Sequence, residues 1–373
     1  FPTRRSSDLD RTDTRWRILL DGTCFYPGGG GQPCDIGLLG GMVVVECFDA
    51  GGYIWHIVEG ERPQFGVGDG IIGQIDFARR FAFMQNHTGE HVLSGLAKRL
   101  WGATNRGFHM SQHGFTMDLD IQPDWMQVET LEMLANKAVL EAVDVGILDV
   151  AGYELADMDA RSKRDFSAKD AVRLVDIAGY DLCACAGMHV RNTHEVRLVR
   201  ILGAQKYKGG VRLNVCCGND ALLDYKRKDL ILKEISRLTS SEILMCAAAV
   251  EKLLTVNAGL KKDLGLAKSR IFKLKAAQVP ENSGLAWFCE DGLDMDDMRR
   301  FAEAVAQRAR LAVILSGRRY FICGRDANEL RDFVRKFNEE LGGKGGVNNL
   351  AAQGAVTAEL SAIEEFLGDE IHR

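Results

Sequence analysis

The chain has 373 residues, of which 46% are hydrophobic and 27% are charged. This composition is typical of a soluble globular protein, and the length predicts two or three domains with a sizeable core. No apolar run reaches the ~18 residues of a membrane-spanning helix, and no secretory signal precedes the first domain, so we expect no membrane contact. The net charge of −5 gives no support for general nucleic-acid binding.

The ten cysteines indicate the redox compartment. Cys183 and Cys185 are separated by one residue, and Cys216 and Cys217 are adjacent. Such spacing suits a reduced intracellular protein better than a secreted disulfide framework. We therefore expect a cytoplasmic protein in which most cysteines are small buried side chains and a minority bind metal.

The first part of the chain predicts a β domain. Residues 1–15 lack a hydrophobic period and are predicted to be a non-native or disordered tail. Residues 16–79 alternate short apolar runs with glycine clusters such as Gly40-Gly41 and Gly51-Gly52, a pattern typical of strands and tight turns. We interpret this segment as a truncated N-terminal β domain with a barrel-like fold.

The second part, residues 80–220, predicts an α+β core. Apolar residues and two histidines recur near a 3.6 period over 84–101 and predict a helix, and a second helix is predicted at 126–143. Alternation at 115–121 and the apolar runs between 172 and 215 predict strands. Two strand-rich parts around two helices make an α+β fold.

Residues 221–280 predict a helical spacer or coiled coil, followed by a small C-terminal α/β domain at 281–373. Within the spacer, residues 224–275 hold twelve Lys/Arg against six Asp/Glu. Such a basic segment indicates a phosphate-facing surface, a solvated helix face, or a surface through which two chains pair. The last domain predicts a β-α-β-α order with strands at 311–315 and 320–323, a helix at 328–341, a glycine-rich loop and a final helix.

The strongest chemical signal is a pair of histidines. His87 and His91 are four residues apart on the first predicted helix, so both imidazoles lie on one face, within reach of one metal ion. Thr88 occupies the position where zinc proteases of the His-Glu-x-x-His type carry their general base, which argues against that chemistry. His109 and His113 share the spacing but lie in a polar stretch, and His56, His194 and His372 have no partner at ligand spacing.

A second pair follows nearly a hundred residues later. Cys185 and His189 flank an Ala-Gly turn after a predicted strand, and Cys183 competes with Cys185 as the ligand. Together the two pairs form a His₃Cys set, which suits Zn²⁺. Taken singly, each residue would more often be a core thiol or a hydrogen-bonded core histidine.

A glycine-rich loop precedes both pairs. Residues 28–31 are four consecutive glycines followed by Gln32. Without Cβ atoms, the backbone of Gly29, Gly30 and Gly31 can approach a substrate closely and direct its N–H groups toward it. The alternative is a tight hairpin turn with no ligand.

These segments resemble the editing domain of alanyl-tRNA synthetases and the free-standing alanyl-tRNA editing proteins. The likeness rests on four stretches in the same order: Phe25–Pro33 with Asp35 and Gly37, His87–Ser94, Cys185–Glu195, and Gly342–Gly346 with Ala352–Gly354. It runs from about residue 17 to 360 and implies the long form of the family, with a C-terminal glycine-rich domain. Met188 replaces the usual Thr, and Val347-Asn348-Asn349 replaces Arg-Pro-Asp.

The resemblance implies that His87, His91, Cys185 and His189 bind zinc and that Gln32 belongs to the active-site loop. The implied reaction is hydrolysis of mischarged alanine tRNA, chiefly Ser-tRNA(Ala) and also Gly-tRNA(Ala). Lys344 and the basic spacer are the candidate tRNA contacts, and pairing into a homodimer through the spacer or the C-terminal domain is a further expectation. The alternatives are editing of Ser-tRNA(Thr), a non-catalytic zinc-containing tRNA-binding protein, and a phosphodiesterase, which lacks support because no Asp-His-His motif is present.

Overall fold

The computed structural model describes residues 15–155, 157–162 and 165–371. These residues fall into two compact units, one ending at Leu232 and one beginning at Lys233. The predicted tail lies almost wholly outside the described residues, except that Arg15 already begins the first strand. The predicted domain boundaries at 79/80, 220/221 and 280/281 stay predictions.

The N-terminal unit begins with a five-stranded antiparallel sheet in the order β1-β4-β3-β2-β5. Its strands are β1 (Arg15–Leu19), β2 (Gly37–Leu39), β3 (Met42–Ala50), β4 (Tyr53–Glu59) and β5 (Gly73–Ile75). The sheet is open, with β1 and β5 at opposite edges, so the predicted barrel-like closure is wrong. At three residues each, β2 and β5 offer too few backbone pairs for the sheet to coil back on itself.

A long central helix, α1 (Phe77–Trp101), follows this sheet. The Asp76 carboxylate caps its first turn by accepting a hydrogen bond from Arg79 N, and Gly102 ends it in the left-handed conformation. The helix begins seven residues before the predicted start at 84. The apolar period missed these seven residues, about two turns, because Arg80 is buried there against Asp35 rather than facing solvent.

Two further sheets surround α1. One is the sheet β11-β12-β7-β6 and the other is β10-β9-β8. They comprise β6 (Asn105–Ser111), β7 (Gly114–Leu119), β8 (Val145–Ala151), β9 (Ala171–Ile177), β10 (Asp181–Ala184), β11 (Val199–Tyr207) and β12 (Gly210–Cys217), with helices α2 (Trp125–Leu140) and α3 (Gly152–Leu155). Side chains from α1, α2 and both sheets share one hydrophobic core that includes Leu93, Leu96, Met117, Leu131 and Leu213.

The predicted helical spacer is two helices, α4 (Gly218–Thr239) and α5 (Cys246–Ala277). Ser240 adopts a positive φ of 50° between them, and a short 3₁₀ turn, Ile243–Met245, precedes α5. By length and composition alone, the helical stretch Ile243–Ala277 is able to cross a membrane, and a single helix of this kind is weak evidence for a membrane span. The sequence criterion did not flag it because charged residues interrupt every apolar run.

The C-terminal unit contains a five-stranded sheet in the order β13-β14-β15-β17-β16. Its elements are β13 (Ser283–Cys289), α6 (Met295–Ala306), β14 (Ala309–Ser316), β15 (Arg319–Gly324), α7 (Ala327–Leu341), β16 (Lys344–Asn348), β17 (Ala351–Ala355) and α8 (Leu360–Ile371). Successive residues of β14 alternate between two cores: Val313 packs with α7 and α8, and Ile314 packs with α6 and the end of α5. The segment predicted as a glycine-rich loop is instead the strand pair β16–β17.

The structure is therefore a mixed α+β protein with several open sheets, as the sequence predicted at the level of fold class. The candidate site residues His87 and His91 lie in the middle of α1.

Candidate metal centre

The middle of α1 carries the first histidine pair. His87 and His91 are separated by one helical turn, their ring centroids are 5.3 Å apart, and both side chains are buried. Every residue from Gln85 to Ala97 is buried, because α1 runs through the core of the unit. Two imidazoles in such a place need polar partners, since burying an unpaired polar group costs free energy.

The second pair, Cys185 and His189, lies on the turn after β10. Cys185 N donates to the backbone oxygen of Arg173 on β9, which fixes the start of the turn. The turn then passes so close to α1 that a Cβ on Gly187 would lie 2.1 Å from His87 Cε1. Only glycine fits this position, and the close passage delivers His189 next to the two helix histidines.

The four side chains meet at one point. Cys185 Sγ lies 3.5 Å from His87 Nε2 and 3.4 Å from His189 Nε2. The ring centroid of His189 lies 4.4 Å from that of His87 and 4.5 Å from that of His91. One donor atom from each of the four residues lies within 4.8 Å of every other. We call these four residues the His₃Cys cluster.

Each imidazole of the cluster has a separate neighbour at Nδ1. His87 Nδ1 donates to Gln32 Oε1 at 2.8 Å, and His189 Nδ1 lies 3.2 Å from Thr88 Oγ1. His91 Nδ1 lies 2.9 Å from Asp181 Oδ2, although the angle departs from that of a regular hydrogen bond. Contacts of this kind orient metal-binding histidines and leave Nε2 for the ion.

The electrostatics of the cluster favour a thiolate at Cys185 and a neutral imidazole at His189. Burial by itself would raise the pKa of Cys185, but hydrogen bonds with His189, His87 and His91 lower it to about 2. Burial and the neighbouring imidazoles lower the pKa of His189 to about 3. For His91, burial lowers the pKa, but Asp181 and Cys185 outweigh it and raise the pKa well above the usual value.

The donor set fits a tetrahedral metal ion. Bonds of about 2.0–2.3 Å to nitrogen and sulfur place tetrahedral ligand atoms about 3.4–3.6 Å apart, and the two Sγ–Nε2 distances of 3.5 and 3.4 Å agree with this spacing. A thiolate and neutral imidazole nitrogens are the protonation states that a metal ion requires. The cluster can therefore hold a metal ion.

The glycine-rich loop lies directly against the cluster. Gly28, Gly29, Gly30 and Gly31 all have positive φ values, of 81°, 133°, 59° and 89°, which L side chains rarely adopt. A Cβ on Gly31 would also lie 2.7 Å from the ring of Phe108. The loop is thus a turn that depends on glycine and brings Gln32 to His87.

The side-chain amide of Gln32 has hydrogen-bond partners at its oxygen but not at its nitrogen, among the described residues. Its Oε1 accepts from both His87 Nδ1 and Met188 N, at 2.8 and 3.1 Å. Because the Met188 N–H can only donate, these contacts settle which end of the amide is oxygen. Nε2 is buried and has no acceptor among the residues that the structure describes. A buried donor without a partner costs free energy and indicates a ligand position.

A buried ion pair holds this loop to α1. Both oxygens of Asp35 accept from Arg80, whose Nη2 also donates to Cys24 O at 2.8 Å. Asp35 Oδ2 in addition accepts from Tyr26 N at 2.7 Å. The role of Asp35 is therefore to hold the loop in position rather than to take part in the chemistry of the cluster.

A cavity of about 380 Å³ opens beside the cluster. Its lining includes Gly30 and Phe108, the two arginines Arg161 and Arg173, and the cluster side chains His87, His91 and Cys185. Its size falls within the range of pockets that bind small molecules.

The other candidate residues lie elsewhere. Cys183 is buried and forms, with His91 and Asp181, a second group able to hold a metal, but its Sγ contacts Ala184 O rather than His87 or His189. Lys344 is exposed at the start of β16 in the C-terminal unit.

The remaining described histidines have ordinary contacts. His56 bonds to Thr23 and to a backbone oxygen, His113 lies 3.7 Å from Asp220, His194 bonds to Asn192, and His109 is exposed. His372 lies outside the described residues.

Sequence reasoning missed the residues that orient the cluster. Asp181 binds Arg161 through two hydrogen bonds of 2.5 and 2.7 Å while facing His91. Thr88 lies between the two helix histidines and reaches His189 instead of pointing away. The sequence carried a weak signal for Asp181, a charged residue at the start of an apolar strand, and none for Arg161.

The structure thus places a buried His₃Cys cluster, able to hold a metal ion, beside a glycine-rich loop on an α+β scaffold. Comparisons with known proteins indicate the class of protein. Residues 172–214 match the family described as threonyl and alanyl tRNA synthetase second additional domain. Residues 4–79 match the family of class II (A) tRNA synthetases. These two matches cover the N-terminal β region and the strands around Cys185 and His189.

Comparison with individual proteins shows which members of these families the chain resembles. The chain is 27% identical to the alanyl-tRNA editing protein AlaX-L of Pyrococcus horikoshii, over 94% of this chain and 91% of that protein. It is 28% identical to the alanine–tRNA ligase of Korarchaeum cryptofilum, over 94% of this chain but 42% of the ligase. It is also 28% identical, over 71% of this chain and 66% of the relative, to the alanyl-tRNA editing protein Aarsd1-B of Xenopus laevis. The predicted resemblance to alanyl-tRNA editing proteins is confirmed.

Proposed function

We propose that this protein is an aminoacyl-tRNA deacylase that hydrolyses the ester bond of mischarged alanine tRNA, chiefly Ser-tRNA(Ala) and also Gly-tRNA(Ala). The observation that carries the proposal is the contact between Gln32 and His87, which joins a buried donor without an acceptor to the His₃Cys cluster. Its similarity to two alanyl-tRNA editing proteins supports the choice of substrate. A tRNA substrate also favours the cytoplasm as its location.

Zinc is the proposed metal. Three imidazole nitrogens and one thiolate form a donor set of borderline softness, which suits zinc better than calcium or magnesium. When bound, zinc would supply a positive charge that polarises the ester or a water molecule. His87, His91, Cys185 and His189 would hold it.

Gln32 positions the ester by donating from Nε2. Its Oε1 is held by His87 and by the Met188 N–H, so the amide cannot turn, and Nε2 keeps a fixed direction. An oxygen of the substrate would be the acceptor for this donor. Such a preorganised donor is worth most where water is excluded.

The glycine-rich loop, Gly29, Gly30 and Gly31, would bind the substrate through close approach of its backbone, and Gly30 is the member that borders the cavity. Gly30 lines the cavity, and a Cβ there would face open space on a residue with a φ of 59°. The lack of side chains leaves room for the terminal ribose that carries the amino acid.

The need for such a reaction follows from pocket energetics. A synthetase pocket built for alanine excludes serine poorly, because serine adds just one hydroxyl, and excludes glycine poorly, because glycine lacks one methyl group. A second hydrolytic site removes the errors that binding cannot prevent.

The basic 224–275 segment and Lys344 would hold the tRNA through its phosphates. Residues 224–275 carry a balance of +6 within a chain of net charge −5, and Lys344 is exposed on the edge strand β16. Exposed cations of this kind bind nucleic acid without reading its sequence.

The direct test is deacylation of Ser-, Gly- and Ala-charged alanine tRNA, measured side by side with zinc-loaded protein. We expect rapid release of serine, slower release of glycine and little release of alanine. Cys185→Ala should remove both metal and activity. Gln32→Ala should keep the metal and lower the rate about 10²–10³-fold, as for loss of one preorganised donor.

Cys183→Ala is the matched control for Cys185→Ala, because both cysteines lie on the same short stretch and only Cys185 contacts His87 and His189. It should retain the metal. Loss of metal in Cys183→Ala, with retention in Cys185→Ala, would assign the ion to the neighbouring group instead. Inertness toward all three charged tRNAs would leave a non-catalytic tRNA-binding protein as the better explanation.

Editing of Ser-tRNA(Thr) is the second candidate. It is favoured by one observation, that the matching family description covers threonyl as well as alanyl synthetases. Ser-charged threonine tRNA therefore belongs in the same assay. Faster deacylation of it than of Ser-tRNA(Ala) would reverse the order of the two candidates.

A further inference from the structure

Two arginines line the cavity beside the His₃Cys cluster, and they differ in their partners. Arg161 forms two hydrogen bonds with the carboxylate of Asp181, so its positive charge is balanced within the protein. Arg173 has no carboxylate within ion-pair distance among the residues that the structure describes, and its side chain contacts a backbone oxygen instead. A guanidinium without a counter-charge at the wall of a cavity is suited to bind an anion that enters there.

The backbone around Cys185 fixes the position of this guanidinium. Arg173 Nη1 donates to Cys185 O at 2.5 Å, and Cys185 N donates to the backbone oxygen of Arg173 at 3.1 Å. The first contact uses one N–H group of the guanidinium and leaves the others for a ligand. Glu90 is the carboxylate in the cavity lining, and its Oε1 accepts from Ser94 and Asn105 instead. Arg173 therefore lies beside the cluster without being part of it.

The glycine-rich loop borders the same cavity through Gly30 and offers further donors. Gly29 and Gln32 bond to each other through both pairs of backbone groups, at 3.0 Å. The N–H groups of Gly30 and Gly31, which lie between them, donate to no acceptor in the described part of the chain. Consecutive backbone N–H groups in a turn form a concave site for anions. The loop therefore offers the same chemistry as Arg173.

Tyr26 connects Arg173 with this loop. The Tyr26 hydroxyl donates to Gly29 O at 3.2 Å. Burial and the neighbouring Cys185 raise the pKa of Tyr26 to about 12, while the positive charge of Arg173 acts to lower it. Since the electrostatic effect of one side chain on another falls with distance, Arg173 lies close to Tyr26 and hence to the loop.

The substrate of the proposed deacylase carries one kind of anion. The end of a charged RNA presents an ammonium group, an ester and the phosphate that precedes the terminal ribose. Arg173 repels the ammonium group, and the proposed function assigns the ester to Gln32 and the metal. The phosphate is the group left, and a guanidinium binds two phosphate oxygens at once.

We propose that Arg173, together with the N–H groups of Gly30 and Gly31, binds the phosphate that precedes the terminal ribose and so places the ester at the His₃Cys cluster. Arg173 is thus a substrate-binding residue. This contact differs from those of the basic 224–275 segment, since it involves the last nucleotide alone. The identity of the anion rests on the proposed function, whereas the anion site itself rests on the cavity and its donors.

The test is the binding of two analogues that the protein cannot hydrolyse. Both are adenosines whose ribose carries serine through an amide in place of the ester, and one of them also carries a 5′-phosphate. Calorimetric titration of the zinc-loaded chain measures both affinities. We expect the phosphate to tighten binding about 10-fold or more, as for a hydrogen bond to a charged group. Equal affinities for the two analogues in the parent protein would overturn the proposal.

Arg173→Met should remove this difference. Its affinity for the phosphate-bearing analogue should fall to that for the phosphate-free analogue, which itself should not change. Arg173→Lys keeps the charge but lacks the planar fork, so it should restore part of the difference. Arg17→Met is the matched control and should keep the full difference, because Arg17 also lies on a strand without a carboxylate partner in the described part of the chain but lines another cavity.

Three other results would contradict the proposal. An equal loss of affinity for both analogues in Arg173→Met, together with loss of the metal, would show that Arg173 only holds the turn at Cys185. Free serine that binds the parent protein but not Arg173→Met would assign the guanidinium to the carboxylate of the released amino acid. A phosphate effect that persists unchanged in Arg173→Met would assign the phosphate to other residues.

Failure of the proposed function would give a different result. If the protein releases no amino acid from any charged tRNA while the phosphate effect persists and Arg173→Met removes it, the deacylase proposal fails and the anion site stands. Deacylation of Ser-tRNA(Ala) without any phosphate effect would retain the deacylase proposal and remove this role of Arg173.

Discussion

Three different side chains orient the three histidines of the His₃Cys cluster. Gln32 contacts His87, Thr88 contacts His189 and Asp181 contacts His91, each at Nδ1. Asp181 is the charged member of this set and is itself held by Arg161. These contacts hold the donor atoms of the cluster close to one another, which lowers the cost of binding a metal ion.

Asp181→Asn tests this orientation. The substitution removes the charge that faces His91 Nδ1 and leaves Arg161 without its buried partner. We expect metal affinity to fall about 10- to 100-fold, the usual effect of losing such a contact. Competition with a chromophoric chelator measures it directly.

Part of that loss could come from general destabilisation, because breaking a buried ion pair costs about 3–5 kcal/mol. Asp297→Asn provides the matched control, since Asp297 is equally buried, pairs with Lys268 and lies in the other unit. It should lower the melting temperature while leaving metal affinity unchanged. Equal metal affinity in both variants would show that Asp181 has no part in holding the ion.

At the scale of elements, two turns bring the site together. The glycine-rich loop is clamped to α1 by Asp35 and Arg80, and the turn after β10 passes within contact of His87 at Gly187. Both turns depend on glycine for reasons of space or conformation, and both lie far from α1 in sequence.

Gly187→Ala should therefore disrupt the site. The added methyl group would lie 2.1 Å from His87 Cε1, so either the ring or the turn has to move. Because a small displacement of a reacting group costs about 100-fold in rate, we expect at least that loss of deacylation, together with weaker metal binding.

Gly203→Ala is the matched substitution, because a Cβ there meets nothing within 4 Å and the residue has no positive φ. Its rate should stay close to that of the parent protein. A fully active Gly187→Ala would mean that the turn does not pack against His87 in solution.

Elements were predicted best where a simple period governs burial. The helix α2 was expected at 126–143 and runs from Trp125 to Leu140, and the strand expected at 115–121 runs from Gly114 to Leu119. The start of α1 and the strand pair β16–β17 were missed. At the start of α1, a buried ion pair takes the place of apolar residues. The β16–β17 pair contains glycines, which give no apolar pattern.

At the scale of the whole molecule, the His₃Cys cluster and the basic residues lie in different parts of the chain. The His₃Cys cluster belongs to the unit that ends at Leu232, whereas most of the basic 224–275 segment and Lys344 belong to the unit that begins at Lys233. A reaction at the end of a long tRNA suits this arrangement, because the substrate itself can span separate catalytic and holding regions.

Binding of alanine tRNA should accordingly weaken steeply with salt, since each phosphate contact releases condensed counterions. Lys344→Gln should reduce the slope of log affinity against log salt concentration by about one. Lys137→Gln is the control, because that lysine lies on α2 in the other unit and pairs with Glu141. A slope unchanged by Lys344→Gln would remove this residue from the tRNA contact.

The sequence by itself determined the residue types of the site and the fold class, because His87 and His91 are one helical turn apart and local periodicity follows burial. It could not determine that Cys185 rather than Cys183 contacts His87, that Asp181 and Arg161 support His91, or that Gln32 Nε2 is left without an acceptor. Those facts depend on contacts between segments up to 156 residues apart. Such contacts arise only when the sheets pack around α1, and no local pattern encodes them.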